Sequence, residues 1–279
     1  MQLTSQAPPP YLPEPDQATV LRLGITPLAL ADWLQCDADF AAFHAHKSSV
    51  LQNASDRVCL CLPESRSTQE QFANYLLQVL RQHHGASYAI DNSKLQHLLT
   101  GLAWPLAERT LAQSSRWIQE DICLLEPRGA HYIMTAASVC APSNWKLEDK
   151  IGRTLDAIHA PVPGYADELA ARVNRMLASI RVGKSLLRYN WSLQRGNELL
   201  WRSDQIAATT QADLYWRVER QSLVKIPDSA IIVFSIRIYL HPLQQLLPVP
   251  GFREHLQAIL QRLPAEQIAY KGLLDKRIV

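Results

Sequence analysis

The sequence predicts an α+β protein in which a helical N-terminal region leads into an antiparallel sheet and helices return at the C-terminus. Apolar residues recur every three to four positions over 28–43, 67–85 and 95–111, the spacing that builds one helix face. From Trp117 the pattern turns to alternation and β-prone runs at 117–125, 131–139, 185–193, 215–223 and 230–240. Helical spacing resumes over 253–263 and 265–274. Hydrophobic residues make up 47% and charged residues 19%, ordinary usage for a packed chain.

Taken in order, residues 1–16 carry Pro8-Pro9-Pro10 among other prolines and predict an extended arm that acts as a strap or a tail. A single domain is expected over 17–279, with a helical region to about 115 and a sheet core over about 116–243. Leu30, Trp33, Leu34, Phe40 and Phe43 fit a helix interrupted near Asp37-Ala38-Asp39. Val58-Cys59-Leu60-Cys61-Leu62 is β-prone, and a strand there would put both thiols on one face. Ser67-Thr68-Gln69-Glu70 reads as the cap of a helix that runs through Phe72, Leu76, Leu77 and Leu80 and stops at Gly85. Leu95, Leu98, Leu99, Leu102 and Leu106 predict another helix, broken at Pro105.

The sheet begins with a hairpin turned at Pro127-Arg128-Gly129, and a helix over 166–180 precedes three further strands. In the last strand Ile232, Phe234, Ile236 and Ile238 share a face, while Ser235, Arg237 and Tyr239 share the other, which is free to meet a ligand. Residues 217–222 carry charge on both faces, which places that strand at a sheet edge or beside a polar cavity.

Net charge is +2 with a pI near 8.3, so no basic footprint for nucleic acid is present. Cys36, Cys59, Cys61, Cys123 and Cys140 form no CxxC pair, which argues against a zinc ribbon or a disulfide framework and for reduced thiols. His44 and His46, two residues apart on a helix, would not face each other as a metal pair. No leader is evident in MQLTSQAPPP, and the longest apolar run, Ala230 to Phe234, is too short to cross a membrane. A soluble cytoplasmic protein is expected.

The stretch from Cys140 to Tyr165 is dense in groups that position one another. His159 follows a helical run and precedes Ala160-Pro161-Val162-Pro163, whose prolines fix the exit of the chain. Taken alone, His159 reads more readily as a core or capping histidine than as a ligand.

Longer blocks change that reading. QEDICLL at 119–125, VCAPSNWKLEDKIGRTLDAIHAPVP at 139–163, RYNW at 188–191 and WRVERQSLVKIPDSAIIVFSIRIYLHPL at 216–243, with the weaker GITPLALADWLQCDADF at 24–40, occur together. In these blocks the chain resembles the haem-dependent oxidative N-demethylase family. The resemblance implies a PAS-like antiparallel sheet around a haem b pocket, and oxidative removal of a methyl group from a small, dimethylamine-like secondary amine with dioxygen. Electrons would come from a separate NADPH-dependent flavin and iron–sulfur reductase, since this chain has neither a cysteine cluster nor a glycine-rich nucleotide loop.

At residue level it implies His159 as the proximal iron ligand. Arg188, Arg217, Arg220 and Arg237 become candidates for the haem propionates, because guanidinium pairs bidentately with carboxylate. Glu219 becomes the carboxylate for a protonated amine, with Trp191 or Tyr239 as walls of the pocket. Tyr189 and Tyr239 become candidate donors to dioxygen. A haem-binding PAS-type gas or redox sensor without turnover is the alternative, because a fold does not fix its chemistry.

Overall fold

The computed structural model describes residues 4–6, 8–12, 24–162, 164–165, 169–201 and 214–270. Its centre is an open, seven-stranded antiparallel sheet in the order β1-β8-β9-β10-β6-β7-β2. The strands are β1 (Thr26–Leu28), β2 (Cys59–Cys61), β6 (Asp121–Arg128), β7 (His131–Ser138), β8 (Ser185–Arg195), β9 (Leu214–Lys225) and β10 (Ile232–Pro242). A smaller sheet joins β3 (Tyr88–Ile90), β4 (Lys94–His97) and β5 (Ala103–Pro105). Helices α1 (Phe40–Asn53), α2 (Ser55–Val58), α3 (Arg66–His83) and α4 (Leu111–Ser114) precede the hairpin. Helices α5 (Leu155–His159) and α6 (Ala170–Ser179) follow it, and α7 (Leu243–Leu246), α8 (Phe252–Arg262) and α9 (Ala265–Tyr270) come last.

The three long strands form where alternation predicts them, and each runs a few residues further. β9 pairs with β8 on one side and β10 on the other, so it is central and not an edge strand. Its charges are therefore buried or half-buried, and each needs a partner inside the protein.

Both faces of the sheet are covered. On one face α3 packs Phe72, Leu76, Val79 and Leu80 against Ile122, Leu124, Val224 and Val233. Further along the same face, α7 and α8 bring Leu243, Leu246, Phe252 and Leu256 onto Trp191, Trp216, Val218 and Tyr239. On the other face Leu147, Leu155, Ile158, Leu177 and Ile180 pack on Cys123, Leu125, Met134, Ala137 and Ile232. Burying a Leu- or Phe-sized side chain contributes about 1.5–3 kcal/mol, so these two cores decide where the segments 140–180 and 24–117 lie.

Several expectations change. Residues 95–111 are two strands and a short helix: Gly101, at φ 73°, donates its N–H to the His97 carbonyl and turns the chain between β4 and β5. Leu98 and Leu99 are exposed, 48% and 76%, so the apparent helical stripe mixed turn residues with core residues. The expected helix over 28–43 begins only at Phe40, after β1 and a single 3-10 turn at Leu30–Asp32. Asp37 accepts the Asp39 N–H at 3.0 Å, an Asx-type turn that competes with helix up to that point. α3 starts at Arg66, so Thr68 and Gln69 lie buried within its first turn instead of capping it.

The arm is a strap along the part that is described. Ser5 donates its N–H to the Leu240 carbonyl and accepts the Leu240 N–H on its hydroxyl. Gln6 donates to Asp39, and Tyr11 stacks on Tyr189 at 5.5 Å. Residues 13–16, Pro163, 166–168 and 271–274 lie outside the described residues. No helix among the described residues is long and apolar enough to cross a membrane.

Candidate functional site

The site grows from the turn after the hairpin. Gly152 and Met134 pair along β7, with the Gly152 N–H reaching the Met134 carbonyl at 2.8 Å and the Met134 N–H reaching Arg153 at 3.1 Å. Thr154 then caps α5, its hydroxyl accepting the Ala157 N–H at 3.3 Å. Asp156 anchors α5 to α6 by accepting from Asn174 at 3.0 and 3.1 Å. Lys150 closes the other side, donating to the Ile158 carbonyl at 2.9 Å. A helix of one turn is thereby held from three directions, although isolated helices of this length do not persist in water.

His159 is the last residue of α5. Its Nδ1 lies 2.8 Å from the Leu155 carbonyl, which fixes the tautomer: Nδ1 carries the proton and Nε2 keeps its lone pair. Burial lowers its pKa, with a further lowering from nearby Arg188, so the ring is neutral at neutral pH. Tyr165 stacks on the imidazole, centroids 4.7 Å apart and planes 17° from parallel.

The strands supply the rest of this side. Arg188 opposes Gln221, Asn190 opposes Glu219 and Ser192 opposes Arg217 across β8 and β9, so these side chains share one face. Glu219 accepts from Asn190 at 3.2 Å and from Gln221 at 2.8 Å through one oxygen. Its other oxygen lies 3.7 Å from Nε of Arg217. Arg217 is fully buried and also donates to Gln194 at 3.0 Å and to the Ala141 carbonyl at 2.5 Å. Asp121 fixes that same turn by accepting the N–H groups of Cys140 and Ala141 at 3.0 and 2.8 Å.

Arg188 makes no hydrogen bond to a described residue, whereas Arg217 makes two. Burial lowers the pKa of both against the opposing pull of Glu219, and the Nε of each is buried with no hydrogen-bond partner among the described residues. The Tyr165 hydroxyl is in the same condition, in a residue only 4% exposed. Two buried donors without acceptors beside a histidine with an open lone pair form a donor set suited to a flat, carboxylate-bearing, metal-centred group.

The remaining candidates lie on the opposite face, because alternation separates neighbours in sequence. Tyr189 stacks on Tyr11, and Trp191 stacks on Trp216 at 4.6 Å. Arg220 donates to the carbonyls of Trp33 and Asp32, at 2.9 and 2.5 Å. Arg237 pairs with Asp37 at 2.9 Å and Asp39 at 3.3 Å, its guanidinium lying over Phe43 and Tyr239. The Tyr239 hydroxyl reaches Gln35 at 3.4 Å. The face of β10 expected to meet a ligand is therefore closed by the segment 32–39. The structure brings together His159, Arg188, Arg217 and Glu219; it separates them from Tyr189, Trp191, Arg220, Arg237 and Tyr239.

Sequence reasoning passed over Tyr165, Asn190 and Gln221. A turn of Pro161 and Gly164 between two aromatic rings six residues apart was the available signal for Tyr165. For the two amides it was their place opposite and two residues beyond Glu219.

The fold and site together define an α+β protein with one sheet face built around a neutral, tautomer-fixed histidine and buried cations. The chain belongs to the family described as haem-dependent oxidative N-demethylase, alpha subunit-like, whose model matches residues 24–277. That description indicates haem dependence and a subunit that works with partners.

Proposed function

We propose that this chain is the haem b-carrying, PAS-like subunit of a cytoplasmic N-demethylase that acts on a small secondary amine of the dimethylamine kind. Dioxygen is the oxidant, and a separate NADPH-dependent flavin and iron–sulfur reductase delivers the electrons. The observation that carries this reading is His159: Nδ1–H is committed to Leu155, Nε2 is open, and Arg188 and Glu219 stand on the facing strands. Family membership supports it.

Haem, when bound, supplies oxygen activation: N–CH3 becomes N–CH2OH with one oxygen atom of O2, two electrons and two protons, the second oxygen leaves as water, and the carbinolamine breaks to amine and formaldehyde. The protein's share is binding and orientation. His159 would hold the iron through Nε2, and its hydrogen bond to Leu155 keeps the ring from turning that nitrogen away. Arg188, half-buried with its Nε buried, would give its guanidinium to a propionate.

Glu219 receives the substrate's ammonium group, which loses its hydration on entry and needs a fixed counter-charge. Asn190 and Gln221 hold one carboxylate oxygen and leave the other directed toward the cations. With Arg188 and Arg217 against Glu219 the site has one surplus positive charge. Against the two propionates of a ferrous haem these residues would leave a surplus negative charge, which a protonated amine would neutralise.

Absorption spectra of the haem-reconstituted chain test the reading. A Soret band is expected in the parent and a shifted or lost one in His159→Ala. In Glu219→Gln the haem spectrum is expected to persist while formaldehyde release from dimethylamine, measured with a reductase present, falls at least tenfold. An unchanged spectrum in His159→Ala removes the ligand assignment, and full turnover in Glu219→Gln removes the substrate carboxylate.

A further inference from the structure

We propose that Tyr165 is the positioning residue that sets the plane of the His159 imidazole, an inference that rests on the haem-binding reading above. The bond from Nδ1 to Leu155 restrains the ring at one edge. A flat group against the ring face restrains it from a second direction.

The chain is shaped to bring such a group there. The Val162 N–H donates to the His159 carbonyl at 2.8 Å, and the Tyr165 N–H donates to the Val162 carbonyl at 3.1 Å. Gly164 lies between them at φ 80°, in the left-handed region that glycine enters without the penalty a Cβ imposes. These two successive turns reverse the chain within six residues. The phenol ring therefore lies over the imidazole of the same loop, 4.7 Å between centroids and 17° from parallel. The turn after α5 thus places a ring as well as ending a helix.

A second observation points from Tyr165 toward a bound group. Its residue is 4% exposed, yet its hydroxyl is buried with no hydrogen-bond partner among the described residues. Nε of Arg188, whose charge acts on His159, shares that condition. A tyrosine kept only to fill the core would serve better as phenylalanine, since a buried phenol without an acceptor is destabilising. Ring and hydroxyl therefore have separate roles: the ring orients the imidazole, and the hydroxyl meets an acceptor that the described residues do not provide.

The test uses the full chain reconstituted with haem, read by ferric electron paramagnetic resonance, which responds to the axial imidazole plane, and by haem titration. Tyr165→Met fills similar space without a flat face, and Tyr165→Leu is the second such variant should the first fail to fold by circular dichroism. Both are expected to change the g-anisotropy and to raise the haem dissociation constant about tenfold, the range typical when a ligand's supporting partner is lost. Tyr165→Phe is expected to restore the parent g-values. Parent-like g-values and affinity in a folded Met or Leu variant would overturn the inference, and so would a Phe variant shifted as far as those two. Parent g-values in His159→Ala would instead overturn the ligand assignment beneath it, a distinguishable result.

Discussion

Four arginines on three adjacent strands differ in what they are free to do. Arg220 and Arg237 fasten the segment 32–39 to the sheet, and Arg217 holds the turn at Ala141. Arg188 alone of the four has no hydrogen bond to a described residue. Removing Arg237 leaves Asp37 and Asp39 facing each other without a counter-charge, and breaking a buried pair from one side costs about 3–5 kcal/mol. Arg237→Met is therefore expected to lower the urea midpoint of the apo chain strongly, whereas Arg188→Met leaves it close to the parent. The order reverses for haem: titration should show weaker binding in Arg188→Met and near-parent binding in Arg237→Met once folded. Residue type alone gave no way to rank these arginines. Period two separated 217 from 220 within one strand, but that 188 shares the face of 217, and 237 that of 220, comes from the strand pairings, and 220 and 237 bond to the distant loop 32–39. Tyr189 and Tyr239 lie on the face of Arg220 and Arg237, opposite to that of Arg188 and Arg217.

At the scale of elements, the strands 185–195, 214–225 and 232–242 were legible because alternation is a direct record of two different faces. The stretch 95–111 was not, because leucines at a hairpin tip and leucines in a core look alike until Gly101 is seen to turn the chain. α1 carries a consequence for pH. His46 is buried, with Nε2 2.7 Å from the Cys140 carbonyl, and burial lowers its pKa, as does the charge of Lys47 and Arg217. His44 and His97, packed around Phe40, are lowered by burial as well. A histidine with a lowered folded pKa binds fewer protons folded than unfolded, so its contribution is complete above the ordinary value of 6.5 and is lost as pH falls below it. Buried Glu120 and Asp121 have raised pKa values and act with the opposite sign, binding protons preferentially in the folded state. The difference between parent and His46→Gln isolates the histidine: the apo parent should lose thermal stability between pH 7 and 5.5 more steeply than the variant. Parallel slopes would contradict the assignment.

For the whole molecule, the sheet acts as a partition. One face carries the segment 140–180 and the candidate site, with Phe43 of α1 against Ile238 and Leu240 at its end, and the other carries α3 and the C-terminal helices α7 and α8. The strap of residues 4–6 and 8–12 lies outside the family match, which begins at Gly24, and is fastened to Leu240 of β10 and Tyr189 of β8. The two hydrogen bonds between Ser5 and Leu240 and an aromatic stack amount to about 2–3 kcal/mol. A chain lacking residues 1–12 should therefore melt roughly 5 °C lower, by calorimetry, while keeping its haem spectrum. An unchanged melting temperature would mean the strap contributes nothing to the fold. The central claim is that the face holding His159 binds haem through that residue. Resonance Raman spectra of the ferrous, haem-loaded chain test it most directly. The account expects an iron–imidazole stretch in the parent that is absent from His159→Gly and returns when free imidazole is added; the same stretch in His159→Gly without added imidazole would contradict it.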